Sequence, residues 1–259
     1  MNILKSCRIM NKIKIITRLN QREMTAREYI SYCKNLLRNI KAVFPEMYLS
    51  ILDDNDVAYF FKNDLSDFGE ENLYKIIMED KEIVYYNPDK NNEDLTVDSK
   101  TWSPFSSLFF LKEKREADKY SVSDISIDIS QGSNDINDKI AVAIIKFSDN
   151  FTKRLNNSIL EKIIYCLEKT GDLKFAVAIS DNFRSEVKIK GQNLWIGYLT
   201  YFAHKDISRL FKDFKGIEVT ETELGTLISL SNKFYLSEET VRKALAIRDI
   251  LAEKGLMNL

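Results

Sequence analysis

The chain has 259 residues, enough to bury a substantial core without a disulfide or metal staple. A single histidine and 3 cysteines exclude mechanisms that need two imidazoles or a Cys/His zinc cage, and 8 scattered glycines exclude a glycine-rich phosphate cradle. The net charge of −1 argues against a uniformly basic nucleic-acid binder, but it hides a segregation: residues 1–44 sum to +8 and residues 45–101 to −10. Gathered on one face, a block that acidic repels polyanions and attracts a basic protein surface.

Residues 1–14 alternate apolar side chains with Lys5, Arg8, Lys12 and Lys14, so they assemble no secretory core. No apolar run approaches the roughly 20 residues that span a bilayer, and the expectation is a cytoplasmic protein that does not engage membranes. Cys7, Cys33 and Cys166 lack C-x-x-C spacing; Cys33 and Cys166 fall on helical apolar stripes and read as buried thiols in a reducing compartment. If translation starts at Met10, residues 1–9 are a non-structural extension and 10–259 the folded domain.

In chain order, 12–17 alternates as a strand. Thr25 and Glu28 then have capping-box spacing, ahead of Tyr29, Cys33, Leu36, Leu37, Ile40, Val43 and Phe44 at helical intervals, until Pro45 stops the run. The acidic block reads as strands at 47–52 and 57–61, a helix at 70–78, a strand at 82–86 and an exposed loop at 87–100. Asp53, Asp54 and Asp56 fall in the turn between the first two strands, and they lack the glycine and closing glutamate of a calcium loop. Strands are expected at 105–112, 123–129 and 139–147; Ile140 to Ile145 is continuously apolar and should be a central strand covered on both faces. A helix at 158–169 ends at Gly171. Strands follow at 174–179, 186–189, 195–203 and 226–230, then a helix capped by Ser237 and ended by Gly255. The fold class that follows is α+β: a single domain with a largely antiparallel or mixed β-sheet and about four helices packed against it.

Asp181 with Glu186 and Lys188 imitates the magnesium-holding pattern of restriction-type nucleases, yet only four residues separate the two carboxylates, which should come from different strands. Ser103, after Trp102, and Ser106-Ser107 offer hydroxyls but have no nucleophile elbow around them. His204, at a strand-to-helix junction, reads as a solvent-tipped side chain, and Cys166 would have to leave its apolar stripe to serve it. The aromatics fall on core positions. No catalytic, metal or cofactor site is expected.

Gly197-Tyr198-Leu199-Thr200-Tyr201-Phe202, then Gly225-Thr226-Leu227-Ile228, Phe234 and the closing Ala252-Glu253-Lys254-Gly255-Leu256, resemble the C-terminal signature of immunity protein family 52. The match spans about 60 residues, with a looser one reaching back to the helix at 25–44; Trp102 precedes Ser103-Pro104 where the family tends to have Trp-Asn-Gly. The signature reads as structural: Gly197 permits a bulge or a close backbone approach, and Thr200 suits a half-wet sheet face. The resemblance implies a protein that neutralises a cognate contact-delivered or type VI secreted toxin, often a nuclease, in a tight complex and without enzymatic activity. The partner would be a toxin domain with a basic surface rather than nucleic acid. Asp53, Asp54, Asp56, Glu70, Glu71, Asp89, Glu93 and Asp94 are the expected interface carboxylates, and Gly197, Leu199, Thr200, Tyr201, Gly225, Leu227 and Gly255 the structural signature. A metal-dependent nuclease built on Asp181, Glu186 and Lys188, and a non-inhibitory adaptor or chaperone for a secreted effector, are the alternatives.

Overall fold

Alternating apolar and polar residues bury one face of a strand and wet the other, and most of the strands expected from that pattern form. A computed structural model describes residues 12–52, 57–69, 73, 74, 77, 98, 104–114, 123–133, 141–189 and 194–257. Their strands are β1 (Ile13–Leu19), β2 (Tyr48–Leu52), β3 (Ala58–Phe60), β4 (Phe105–Lys112), β5 (Ile125–Gln131), β6 (Val142–Phe147), β7 (Leu173–Ser180), β8 (Leu199–Phe202), β9 (Glu218–Glu221) and β10 (Thr226–Ser229). All join one antiparallel sheet in the order β3-β2-β4-β5-β6-β1-β7-β8-β10-β9. Register aligns Ile51, Phe109, Ile127, Ile145, Ile15, Ala178 and Leu199 in one buried cross-strand row. Each large aliphatic side chain so buried contributes roughly 2 kcal/mol over its exposed state.

The helices among the described residues are α1 (Ala26–Lys41), α2 (Asp149–Thr152), α3 (Asn157–Glu168), α4 (Asp181–Val187), α5 (Ile207–Leu210) and α6 (Glu238–Glu253). The α1 capping box forms: the Glu28 amide donates to the Thr25 hydroxyl at 3.2 Å, and the Thr25 amide to the Glu28 carboxylate at 2.8 Å. Tyr29 fixes α1 to the face carrying the buried row, stacking on Phe105 at 5.1 Å and donating its hydroxyl to the Ile129 carbonyl at 2.8 Å. α3 packs beside α1 on that face, with Leu160, Ile163, Ile164 and Leu167 buried. α6 ends in a Schellman motif. The Leu256 amide reaches the Leu251 carbonyl and the Gly255 amide the Ala252 carbonyl, with Gly255 at φ +71°.

Four local expectations give way. Residues 186–189 do not form a strand: Glu186 and Val187 close α4, because the Ser180 hydroxyl accepts from the Phe183 amide and starts a helix directly off β7. The strand expected at 195–203 is confined to Leu199–Phe202: Tyr198 still bonds Ala178 and Leu230, but at Gly197 the chain turns onto Val177 and Thr200 instead of extending the strand. The strand covered on both faces is β7, not β6. Val142 and Ile144 are half-buried and Lys146 is exposed, whereas Phe175 to Ser180 is wholly buried, because α4 and the 194–198 segment lie over the second face of β7. Thr200 is fully buried there, not half-wet. The strand at 82–86 and most of the helix at 70–78 fall outside the described residues; Leu73, Tyr74 and Ile77 are helical, and Leu73 and Ile77 are buried.

Candidate functional site

The expected interface carboxylates Asp53, Asp54, Asp56, Glu70, Glu71, Asp89, Glu93 and Asp94 lie outside the described residues. The strands that precede and follow the first three, β2 and β3, pair as a hairpin at one end of the strand order, with Leu52 opposite Ala58. Other members of the acidic block divide into internal and external charges. Asp67 is buried, accepting from the Lys62 amide at 3.0 Å and the Tyr59 hydroxyl at 3.3 Å. Asp98 grips Arg27 at 2.8 Å, which holds its carboxyl below the usual range. Glu46 and Asp64 are exposed, and the Ser66 amide lowers the Asp64 carboxyl. A count of −10 along the sequence therefore overstates the outward field, because the fold uses some of these charges internally.

The nuclease-like trio does not converge. Asp181 and Glu186 both stand on α4, five residues and so about 140° apart around a helix, and both are exposed. Asp181 takes the Lys14 ammonium, and Lys188 follows the helix into solvent. His204 is exposed in the turn after β8. The Cys33 thiol is buried and pushed up to about 12 by desolvation, so it is an inert core group; Cys166 is partly exposed, with burial again raising its thiol. Among the described residues no three His, Cys, Asp or Glu side chains cluster as a metal site, and no helix is long and apolar enough to cross a membrane.

The signature residues divide between the two faces of the sheet: Leu199, Tyr201 and Leu227 lie on the face of the buried row, Gly197, Tyr198 and Thr200 meet on the second face, and Gly255 stands apart at the end of α6. A Cβ on Gly197 would lie 2.4 Å from the Ala178 carbonyl oxygen, and one on Gly225 2.1 Å from that of Phe202, so both positions demand glycine for close backbone approach. The Gly197 amide donates to the Thr200 hydroxyl at 3.0 Å, which explains how a buried threonine is satisfied. Tyr198 bridges the layer: its amide bonds the Ala178 carbonyl, its carbonyl accepts from Leu230, and its ring contacts Phe183 at 4.7 Å and Phe234 at 5.6 Å. Leu199 and Leu227 are buried on the paired strands β8 and β10. Gly197 and Tyr198 thus lock α4 and the approach to α6 against the sheet.

Beside it lies a residue that sequence reading missed. Glu168, the last residue of α3, is buried, and its Oε1 accepts from the Tyr201 hydroxyl at 3.0 Å, from the Leu224 amide at 2.9 Å and from the Thr222 hydroxyl. Thr222 in turn accepts from the Gly225 amide at 3.0 Å. Burial, reinforced by the Glu168 charge, raises the Tyr201 phenol. This carboxylate ties the β9–β10 hairpin to α3. The only sequence signal was an acidic residue at a helix C-terminus, where the dipole disfavours it unless strong donors await. Between α4 and α6 an open groove of about 680 Å³ exposes Leu236, Val241 and Leu245, rimmed by Glu186, Arg242 and Asp249.

No family model matches the chain, and no curated protein matches it. Among solved structures, the Pseudomonas aeruginosa T6SS protein PA0821 is loosely similar. The match covers 95% of this chain and 73% of that one, with 9% sequence identity and a TM-score of 0.48.

Proposed function

We propose that this chain is an immunity protein that binds a cognate contact-delivered or type VI secreted toxin in the cytoplasm and neutralises it by tight complex formation, without catalysis or cofactor. A nuclease domain is the toxin class whose chemistry fits best. A nuclease presents a basic cleft to phosphates, and an inhibitor offering carboxylates there competes with nucleic acid for it. The observation that carries the reading is the charge segregation, −10 over residues 45–101 in a chain whose total is −1. The glycine and aromatic elements that resemble those of immunity protein family 52 support it from the other end of the sequence.

Charge reversal at Asp53, Asp54 and Asp56 tests the steering component. Association with the toxin, measured over a salt series, should slow at low salt, with the difference vanishing at high salt; rates unchanged at low salt would remove the acidic block from recognition. The direct assay is rescue. If an adjacent reading frame encodes a toxin, co-expression with it should restore growth, and a stable complex in which that toxin stays fully active would instead make the chain an adaptor.

A further inference from the structure

We propose that the polar cavity between α1 and the turn joining α3 to β7 binds a small oxyanion ligand, one bearing phosphate or carboxylate groups. The cavity holds about 380 Å³, within the lower range of small-molecule sites. One wall is a single face of α1, where Tyr32, Asn35, Arg38 and Asn39 recur at i, i+3, i+6 and i+7. This polar face flanks the buried Tyr29, Cys33, Leu36 and Leu37 stripe, so packing α1 on the sheet places it here. Lys169 and Thr170 close the second wall, and Arg22, from the β1–α1 loop, the third.

The walls are held in place by internal bonds. Gln131 is buried, accepts from the Arg22 amide at 3.2 Å and donates to the Asn20 carbonyl at 2.8 Å, which fixes the loop carrying Arg22. The Arg22 guanidinium donates to Asp172, a carboxylate only 1% exposed. Thr170 bonds back to the Leu167 carbonyl at 2.7 Å, ordering the turn that carries Lys169.

The charge balance names the ligand class. Three cations and one carboxylate line the cavity, and that carboxylate is already engaged by Arg22. Arg38 and Lys169 have no ion-pair partner among the described residues. Both sit at helix C-termini, Arg38 in the last turn of α1 and Lys169 as the C-cap of α3, where a cation offsets the dipole. Each helix end supplies only about half a negative charge, so the two ends leave roughly one positive charge uncompensated. Asn35 adds a neutral amide, and the Asn39 amide already donates to the Cys166 carbonyl of α3 at 3.5 Å, tying that wall to the next. Oxyanion recognition needs this combination of cations and hydrogen-bond donors on ordered walls.

Titration calorimetry of the full-length protein at low salt, with pyrophosphate in one arm and citrate in the other, tests the site and separates phosphate from carboxylate chemistry. The expected result is saturable one-to-one binding in at least one arm, weakened about tenfold by Arg38→Gln and by Lys169→Gln. Lys254→Gln, beyond the C-terminus of α6, should leave it unchanged. No binding heat in either arm would overturn the proposal, as would affinity retained in the folded Arg38→Gln/Lys169→Gln double variant. The toxin-rescue assay reads the proposed function independently, so either result can fail without the other.

Discussion

The two halves of the sheet are built on different plans. In β4, β5 and β6 the outward face carries Ser106, Leu108, Ser126, Asp128 and Lys146, half-buried or exposed, while α1 covers the inner face. In β7, β8 and β10 nearly every residue is buried, because helices and the 194–198 segment lie on both faces. A strand in the first half needs one apolar face. A strand in the second must admit close packing on both faces: glycine at 197 lets backbone approach Val177 and the Ala178 carbonyl, and glycine at 225 admits the Tyr201 ring and the Phe202 carbonyl. The glycines at 197 and 225 fall in the second half because close packing there leaves few alternatives, whereas β2 and β3, the described strands of the acidic block, join the first half.

The largest expected break in this contrast is Gly197→Val or Gly225→Val. A side chain would drive into the Ala178 or Phe202 carbonyl, and a loss of about 4 kcal/mol or failure to fold is expected from denaturant unfolding. A loss below about 1 kcal/mol would mean that the two layers can separate cheaply. Next is Glu168→Ala, which orphans the Tyr201 and Thr222 hydroxyls and the Leu224 amide. About 3 kcal/mol should be lost, with hydrogen exchange rising first in the β9–β10 hairpin. Uniform protection across the sheet would refute the pinning role.

Asp172 gives a smaller, pH-dependent effect. Burial raises its carboxyl above 3.8, opposed by Arg22, so the folded state binds its proton more tightly than the unfolded chain does. Its contribution to stability is therefore most favourable below that unfolded value and declines as pH rises through the raised folded value. Urea midpoints over a pH series should show a wild-type stability that falls with pH relative to Asp172→Asn across that window. A parallel pair of curves would show that Arg22 cancels the burial penalty. The smallest effect belongs to the wet half: Leu108→Thr, 44% exposed, should stay within about 0.5 kcal/mol, and a loss above about 1 kcal/mol would reveal a cover on that face.

Legibility followed the range of the determining interactions. The Thr25–Glu28 box, the Ser237 cap and the Gly255 terminator act within one turn of helix, and each was readable in sequence. Ile125, Ile127 and Ile129 announced their strand by alternation alone. Residues 186–189 misled because Glu-Val-Lys-Ile alternates like a strand, while the competing helix start depends on where β7 ends and Ser180 begins to cap. Thr200 misled because a hydroxyl suits a wet face equally well, and its actual partner is an amide on a segment folded back over the sheet.

By itself the sequence determined the α+β class, the main helices with their caps, the apolar stripes and the segregation of charge, since these are set by periodicity and local chemistry. Only the tertiary structure decided which strand is covered twice, that Asp67 is an internal charge and Asp98 a paired one, and that Glu168 gathers donors from residues 33 to 56 positions away. Burial and long-range hydrogen bonding depend on which elements meet, and no window of sequence carries that.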